Sequence, residues 1–279
     1  MKLTLEGLKD RQSWEKAGIT LPSYDAAAVA EATRRDPVWV HMGIGNIFRI
    51  FIGGIADQLL EEGLMDRGIT CVETFDYDVV DKIYDPFDNL ALSVTLHGDG
   101  TTDRKVLGSL TEAIKAQSSD EGQWERMKEI FQNPGLQLVS FTITEKGYSL
   151  VNGKGEKLPG VEDGFLAGPG NQSHLMGRIA SLCYARFVKN GTPLALVSTD
   201  NCSHNGDKLK AGVMAYVDAW KQAGKVDDDF VSYMEEKVSF PWSMIDKITP
   251  RPDEKVKEML EKDGFEDTDL IITSRNTYT

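Results

Sequence analysis

Gly43 and Gly45 stand either side of Ile44, with Asn46, Ile47 and Arg49 close behind, in the run His41-Met42-Gly43-Ile44-Gly45-Asn46-Ile47-Phe48-Arg49. Glycines at this spacing let a backbone turn tightly and pass close to a diphosphate, whose charge then meets the unpaired amides that open a helix. Phe48 stands where the usual dinucleotide fingerprint has a third glycine. That glycine serves helix–strand packing, so its replacement alters packing more than phosphate contact. A plain βα turn without a ligand uses the same two glycines. Arg49 adds a second signal, because a cation in the first turn of a helix opposes the helix dipole unless an anion lies close. That anion is either a phosphate or acidic substrate, or one of the chain's many carboxylates. An acid ending the following strand would accept the adenosine ribose hydroxyls and repel the extra phosphate of NADP. Glu73, Asp76 and, further off, Asp78 qualify; Asp76 follows Phe75 where the strand should end and is preferred. No arginine sits beside it, which argues for NAD, and a solvated acidic loop is the alternative for each of the three.

Two further clusters lie downstream. Thr142, Thr144 and Glu145 close an apolar run, and Asp200-Asn201 close another. In open α/β sheets ligands bind beyond the carboxyl ends of the strands, so both clusters are expected to face one crevice. The Asn201 amide can donate to an oxygen that gains negative charge during hydride transfer, although an Asp-Asn pair alone is common turn chemistry. His204 reads as a solvated loop histidine.

The elements that must position these residues alternate. Val38 to Met42 reads as a buried strand, Ile47 to Leu60 as an apolar helix stopped near Gly63, and Ile69 to Phe75 as a second strand. Strand, glycine turn, helix and strand within about forty residues make a βαβ unit. Ala91 to Leu96 follows as a strand, then helices over Asp103 to Ala116 and Glu121 to Gln132, a strand over Leu136 to Thr144, and a helix over Ser173 to Lys189. Pro193 to Thr199 and Lys208 to Trp220 complete another strand and helix. In the last, Leu209, Val213, Tyr216, Val217 and Trp220 mark one buried face. Lys146 to Gly170 carries seven glycines and reads as a hairpin or flap. This order predicts an α/β, Rossmann-like, mostly parallel sheet with helices on both faces. Residues 1–36 are expected to form an N-terminal extension and 37–250 the nucleotide-binding domain, with 251–279 opening a second domain through an amphipathic helix near Glu254 to Glu261 and a β-like Leu270 to Thr273.

Composition narrows the partners. With 44 acidic residues against 31 basic, the formal charge is −13, which disfavours nucleic acid and anionic membranes. No apolar run reaches membrane-spanning length, and the N-terminus lacks a signal-peptide core. Three scattered cysteines, Cys71, Cys183 and Cys202, fit a reducing compartment and offer no zinc motif. These features predict a soluble cytoplasmic enzyme.

Four ordered segments carry a resemblance. Gly43 to Arg49 resembles the GxGN[FI]xR turn of the polyol-specific long-chain dehydrogenases, the mannitol dehydrogenase family. Thr142-Ile143-Thr144-Glu145-Lys146-Gly147-Tyr148 resembles its TxTEKGY segment, Ser198 to Gly206 its DNxxxNG loop, and Phe240-Pro241-Trp242-Ser243-Met244 through Pro250 its FPxSMVDRITP segment. The resemblance implies an NAD(H)-dependent, metal-independent interconversion of a keto-sugar or keto-sugar acid with its polyol or hydroxy-acid. Asn201 would belong to the oxyanion site, and Gly43, Gly45, Asn46, Ile47, Arg49, Asp76, Thr142, Thr144, Glu145 and Asp200 would hold the cofactor. Leu21 to Asp25 and the charged stretch after Pro250 most resemble the mannonate (fructuronate) branch, although a neutral polyol would suit a protein this acidic.

The resemblance also implies a general acid/base lysine, in a K-x4-N-x2-H helix of a largely α-helical C-terminal domain. No such motif occurs here; Lys128 and Asn133 come nearest, but Leu136 takes the place of the histidine. The expectation is therefore a cofactor-binding half, weakly active or inactive alone, whose uncovered apolar face would drive association. A non-catalytic NAD-binding module, or one subunit of a split enzyme, is the alternative. A methyltransferase shares the glycine turn but not the later motifs.

Overall fold

The computed structural model describes residues 1–245, Thr249, 254–267 and 272–275. Along the chain run α1 (Arg11–Lys16), α2 (Ala26–Arg35), β1 (Trp39–Met42), a π-helical stretch (Phe48–Ile52) continuing into α3 (Gly53–Glu61), β2 (Ile69–Glu73) and a second π-helical stretch (Val80–Tyr84). Then come β3 (Ala91–Leu96), β4 (Thr102–Leu107), β5 (Leu110–Lys115), α4 (Glu121–Gln132), β6 (Leu138–Phe141), α5 (Thr144–Gly147), α6 (Val161–Ala167), α7 (Leu175–Lys189) and β7 (Leu194–Ser198). The remainder are α8 (Asn205–Gln222), α9 (Asp228–Glu236), β8 (Val238–Ser239), α10 (Glu254–Lys262) and β9 (Ile272–Arg275). Strand order is β5-β2-β1-β6-β7-β8 in one sheet and β4-β3-β9 in a smaller one. The pairs β1·β6, β6·β7 and β7·β8 are parallel, as the alternation of strands and helices requires. No helix among the described residues is long and apolar enough to cross a membrane.

The chain forms two compact units, one of residues 1–37, 44–113 and 246–279, the other of 38–43 and 114–245. In the first, the opening residues are part of the core: Leu3, Trp14, Ile19 and Leu21 pack with Leu92, Val94 and Val106 and with Val256, Leu260 and Phe265 of the C-terminal segment. Trp14 and Phe265 meet edge to face at 5.9 Å. The fully buried Asp57 accepts from the Gly108 amide at 3.0 Å and from the Tyr24 hydroxyl, and pairs with Lys105 at 2.6 Å. Three partners offset what an isolated buried carboxylate would cost.

Residues 103–116 form no helix. Their apolar positions mimic helical spacing, but Thr102–Leu107 pairs antiparallel with β3 from Ala91↔Leu107 to Leu96↔Thr102. The Gly108-Ser109 step breaks any helix there, and the Ser109 carbonyl accepts from the Ile69 amide at 2.8 Å. Non-local pairing overrides local pattern.

In the second unit Arg186 is fully buried and donates to five carbonyls, those of Thr192, Phe131, Asn133, Leu136 and Pro193, at 2.7–3.0 Å. All five guanidinium donors can be used this way, and the entries to β6 and β7 are fixed together. The glycine-rich stretch 146–170 folds as a small hairpin, bridged Val151↔Lys157, followed by α6, where Trp220 Nε1 donates to the Gly164 carbonyl at 2.8 Å.

Candidate functional site

Register brings three strand ends level in the second unit, with Met42 opposite Phe141 and Phe141 opposite Ser198. The residues that follow therefore leave the sheet side by side. Gly43 turns away with φ +92°, and a Cβ there would stand 2.1 Å from the Thr142 carbonyl oxygen. Glycine is required at this position by backbone conformation and by the approach of the neighbouring strand. Thr142 Oγ1 meets Thr199 Oγ1 at 2.9 Å.

Asp200, 7% exposed, organises the next layer. Its carboxylate accepts from the Ile143 amide at 3.0 Å, the Thr144 amide at 2.9 Å and the Tyr148 hydroxyl. Tyr148 also meets Ser198 Oγ at 2.7 Å, and burial, then the Asp200 charge, push its pKa well above the usual range. Thr144 holds φ +64°, a left-handed conformation that costs a β-branched residue of order 1–3 kcal/mol and persists only where its surroundings enforce it. The Asp200 carboxylate supplies that enforcement.

Asn205 closes the cluster from α8. Its amide nitrogen lies 3.1 Å from the Asp200 carbonyl and 2.9 Å from that of Ser243, and its oxygen accepts from the Ser243 amide at 3.2 Å. A Cβ on Gly206 would meet the Phe240 carbonyl at 2.6 Å, so the 240–243 segment lies directly on the head of α8. Asn201 is exposed beside this clasp, and Glu145, also exposed, pairs with Lys208 at 2.5 Å. Glu145 and Lys208 line a cleft of about 760 Å³ together with Tyr148, Leu150, Val151 and Leu158.

The first unit carries the rest. Gly45 and Asn46 are exposed and Ile47 is half-buried; a Cβ on Gly45 would meet nothing within 4 Å, so open space adjoins this backbone. Ile44 is buried, and its carbonyl accepts from the Tyr84 hydroxyl at 2.8 Å. Arg49 is 4% exposed and lies over the Tyr84 ring at 5.8 Å from its centroid. Burial lowers its pKa, with Tyr84 and Cys71 opposing. The helix here is π-wound, with the Gly53 amide reaching back to the Phe48 carbonyl, a distortion frequent at functional sites. Glu73, 7% exposed, ends β2, and its Oε1 accepts from the Thr74, Phe75 and Asp76 amides at 2.8, 2.9 and 3.3 Å. Asp76 is exposed, whereas Asp78 pairs with Lys82 at 2.6 Å.

Within the second unit the structure thus gathers Gly43, Thr142, Thr144 and Asp200; within the first it holds Gly45, Asn46, Ile47 and Arg49. Sequence reasoning gave no role to Tyr148, Asn205 or Ser243, which lie inside the quoted motifs, or to Tyr84. Lys128 sits on α4 paired with Glu125. Asp246 to Ile248 and Pro250 of the fourth motif lie outside the described residues. Among the described residues no three His, Cys, Asp or Glu side chains gather as a metal site.

A D-mannonate oxidoreductase of Thermotoga maritima is 46% identical over 278 residues, covering 100% of this chain and 51% of its own length. A mannitol 2-dehydrogenase of Pyrenophora tritici-repentis is 27% identical over 279 residues, 98% of this chain and 45% of its own. Among solved structures, substrate-free D-sorbitol dehydrogenase superposes with a TM-score of 0.76 at 26% identity, over 93% of this chain and 51% of that one. The Pseudomonas fluorescens mannitol 2-dehydrogenase ternary complex with NAD and D-mannitol gives 0.79 at 23% identity, over 99% and 53%. The chain spans about half the length of the curated relatives it matches. The mannitol dehydrogenase Rossmann domain matches residues 38–267, and with its sheet and its 46%-identical relative the chain belongs to the mannitol dehydrogenase family.

Proposed function

We propose that this chain binds NAD(H) and serves the interconversion of a keto-sugar or keto-sugar acid with its polyol or hydroxy-acid, with D-fructuronate and D-mannonate as the favoured pair. The 46% identity to a D-mannonate oxidoreductase across the whole chain is the observation that carries this reading. The residues fit the cofactor: Gly45 adjoins open space at the head of a helix, where backbone amides receive a diphosphate. Asn46 and Ile47 open that helix, and the exposed Asp76 would take the ribose hydroxyls and turn away a 2′-phosphate. Bound NAD(H) would supply the hydride.

The chain's own residues do the rest. Asn201 donates from its exposed amide to the substrate oxygen as negative charge develops there. Asp200 acts through position, since its carboxylate is taken by the Ile143 and Thr144 amides and Tyr148. Thr142 and Thr144 shape the strand end, and Glu145 faces the cleft. Arg49 contributes by holding the turn from beneath, against Tyr84. No lysine here occupies a K-x4-N-x2-H setting, so the 279 residues alone should bind cofactor but turn over slowly or not at all. Losing a general acid/base costs about 10²–10⁴-fold in rate.

The test is NADH consumption with D-fructuronate, D-tagaturonate and D-fructose, with NADH fluorescence titrated on the same sample. Saturable binding with little turnover is expected. Turnover at an ordinary dehydrogenase pace, about 10 s⁻¹, would place the acid/base within these residues. Absence of NADH binding would overturn the cofactor assignment.

A further inference from the structure

Phe75 is 92% exposed. It does not sit on a loose loop: the buried Glu73 carboxylate gathers the amides of Thr74, Phe75 and Asp76 onto one oxygen at 2.8–3.3 Å, fixing the turn on which the ring stands. β2, which that turn follows, neighbours β1, which leads into the glycine loop. Within the same unit as the turn, the Tyr84 hydroxyl donates to the Ile44 carbonyl at 2.8 Å. Gly45, next to Ile44, leaves its surroundings open. One residue beyond Phe75 comes the exposed carboxylate of Asp76. A rigidly presented, uncovered aromatic face beside a carboxylate and an open glycine backbone matches, in order, a purine, a ribose and a phosphate.

We infer that Phe75 is the platform on which the adenine of the dinucleotide stacks, exposed in the free chain and covered in the complex. This rests on the NAD(H) reading and deepens it. A neutral purine offers a broad π-face, and base–aromatic stacking needs no base-specific hydrogen bond. Phe75 thus supplies affinity for the adenosine half, while Asp76 selects at the ribose.

The test compares the wild-type chain with Phe75→Ala and Phe75→Tyr, measuring ADP-ribose binding by calorimetry and NADH binding by fluorescence titration. At 92% exposure neither substitution touches the core, and thermal melts should coincide. Phe75→Ala should weaken ADP-ribose and NADH alike, by about tenfold or more, and Phe75→Tyr should restore both. In Phe75→Trp, the added indole emission should be quenched with the same ADP-ribose midpoint. If Phe75→Ala binds both ligands as the wild type does, the platform is overturned while the NAD(H) reading stands, and a change confined to self-association would have the same meaning. If the wild type binds neither ligand, the NAD(H) reading falls and the platform with it.

Discussion

A methyl group added at Gly43 would meet the Thr142 carbonyl oxygen at 2.1 Å, on a backbone at φ +92°, whereas at Gly45 it would meet nothing within 4 Å. The two glycines of one motif therefore answer to different constraints. Gly43→Ala should lower stability by about 2–4 kcal/mol, read as a fall in denaturation midpoint. Gly45→Ala should leave stability within about 1 kcal/mol and, on the proposed NAD(H) reading, weaken NADH, because the new Cβ would enter the open space beside this backbone. A destabilised Gly45→Ala with intact binding would reverse these roles. At this scale the sequence was readable where a residue type has few uses, as with two glycines ahead of a helix. It was unreadable for Asp200, whose partners Ile143 and Thr144 lie 57 and 56 residues earlier, beyond any local pattern.

Among elements, the junction of β6, α5, β7 and α8 depends on Asp200 and Asn205 more than on apolar contact. Asp200→Ala removes the acceptor of three hydrogen bonds and leaves two part-buried amides unpaired, at up to about 1–3 kcal/mol per group. Thr144, no longer held at φ +64°, should relax toward an ordinary conformation. Limited proteolysis with trypsin should then cut after Lys146 in Asp200→Ala well before it cuts the wild type; equal cleavage would show that the loop holds itself. Element types were legible for α4, α7 and α8, long segments with one apolar face. They were not legible over residues 103–116, where Val106, Leu110 and Ile114 repeat at helical spacing yet serve two strands. Nor was the π-turn at Phe48–Ile52 visible, because one extra residue in a helical turn leaves no mark on composition.

For the whole molecule, acid should be the weak flank. His41 is fully buried, with Nδ1 2.7 Å from Ser140 Oγ, and burial lowers its pKa from 6.5 to about 3. Between those values the unfolded chain binds a proton that the folded chain refuses, so stability falls as pH drops from 6.5 toward 3. The slope is up to about 1.4 kcal/mol per pH unit. Urea unfolding at pH 5 should therefore give about 2 kcal/mol less stability than at pH 7 from this residue, and His41→Gln should flatten the difference. An unchanged difference in that variant would assign the acid limb to other groups.

The core shared by Leu3, Trp14 and Ile19 with Val256, Leu260 and Phe265 bears on how the chain emerges from the ribosome. Trp14 leaves the exit tunnel about 250 residues ahead of Phe265, on the order of 10–50 s at ordinary translation rates. Residues 114–245 are synthesised within that interval and can pack among themselves, while Leu3 and Trp14, able to meet Leu92, Val94 and Val106 early, lack Val256, Leu260 and Phe265 until the segment 254–265 arrives. Vectorial synthesis thus leaves the core of one unit incomplete while the other can form, which makes the nascent segment around Leu3 and Trp14 a natural client of a ribosome-associated chaperone.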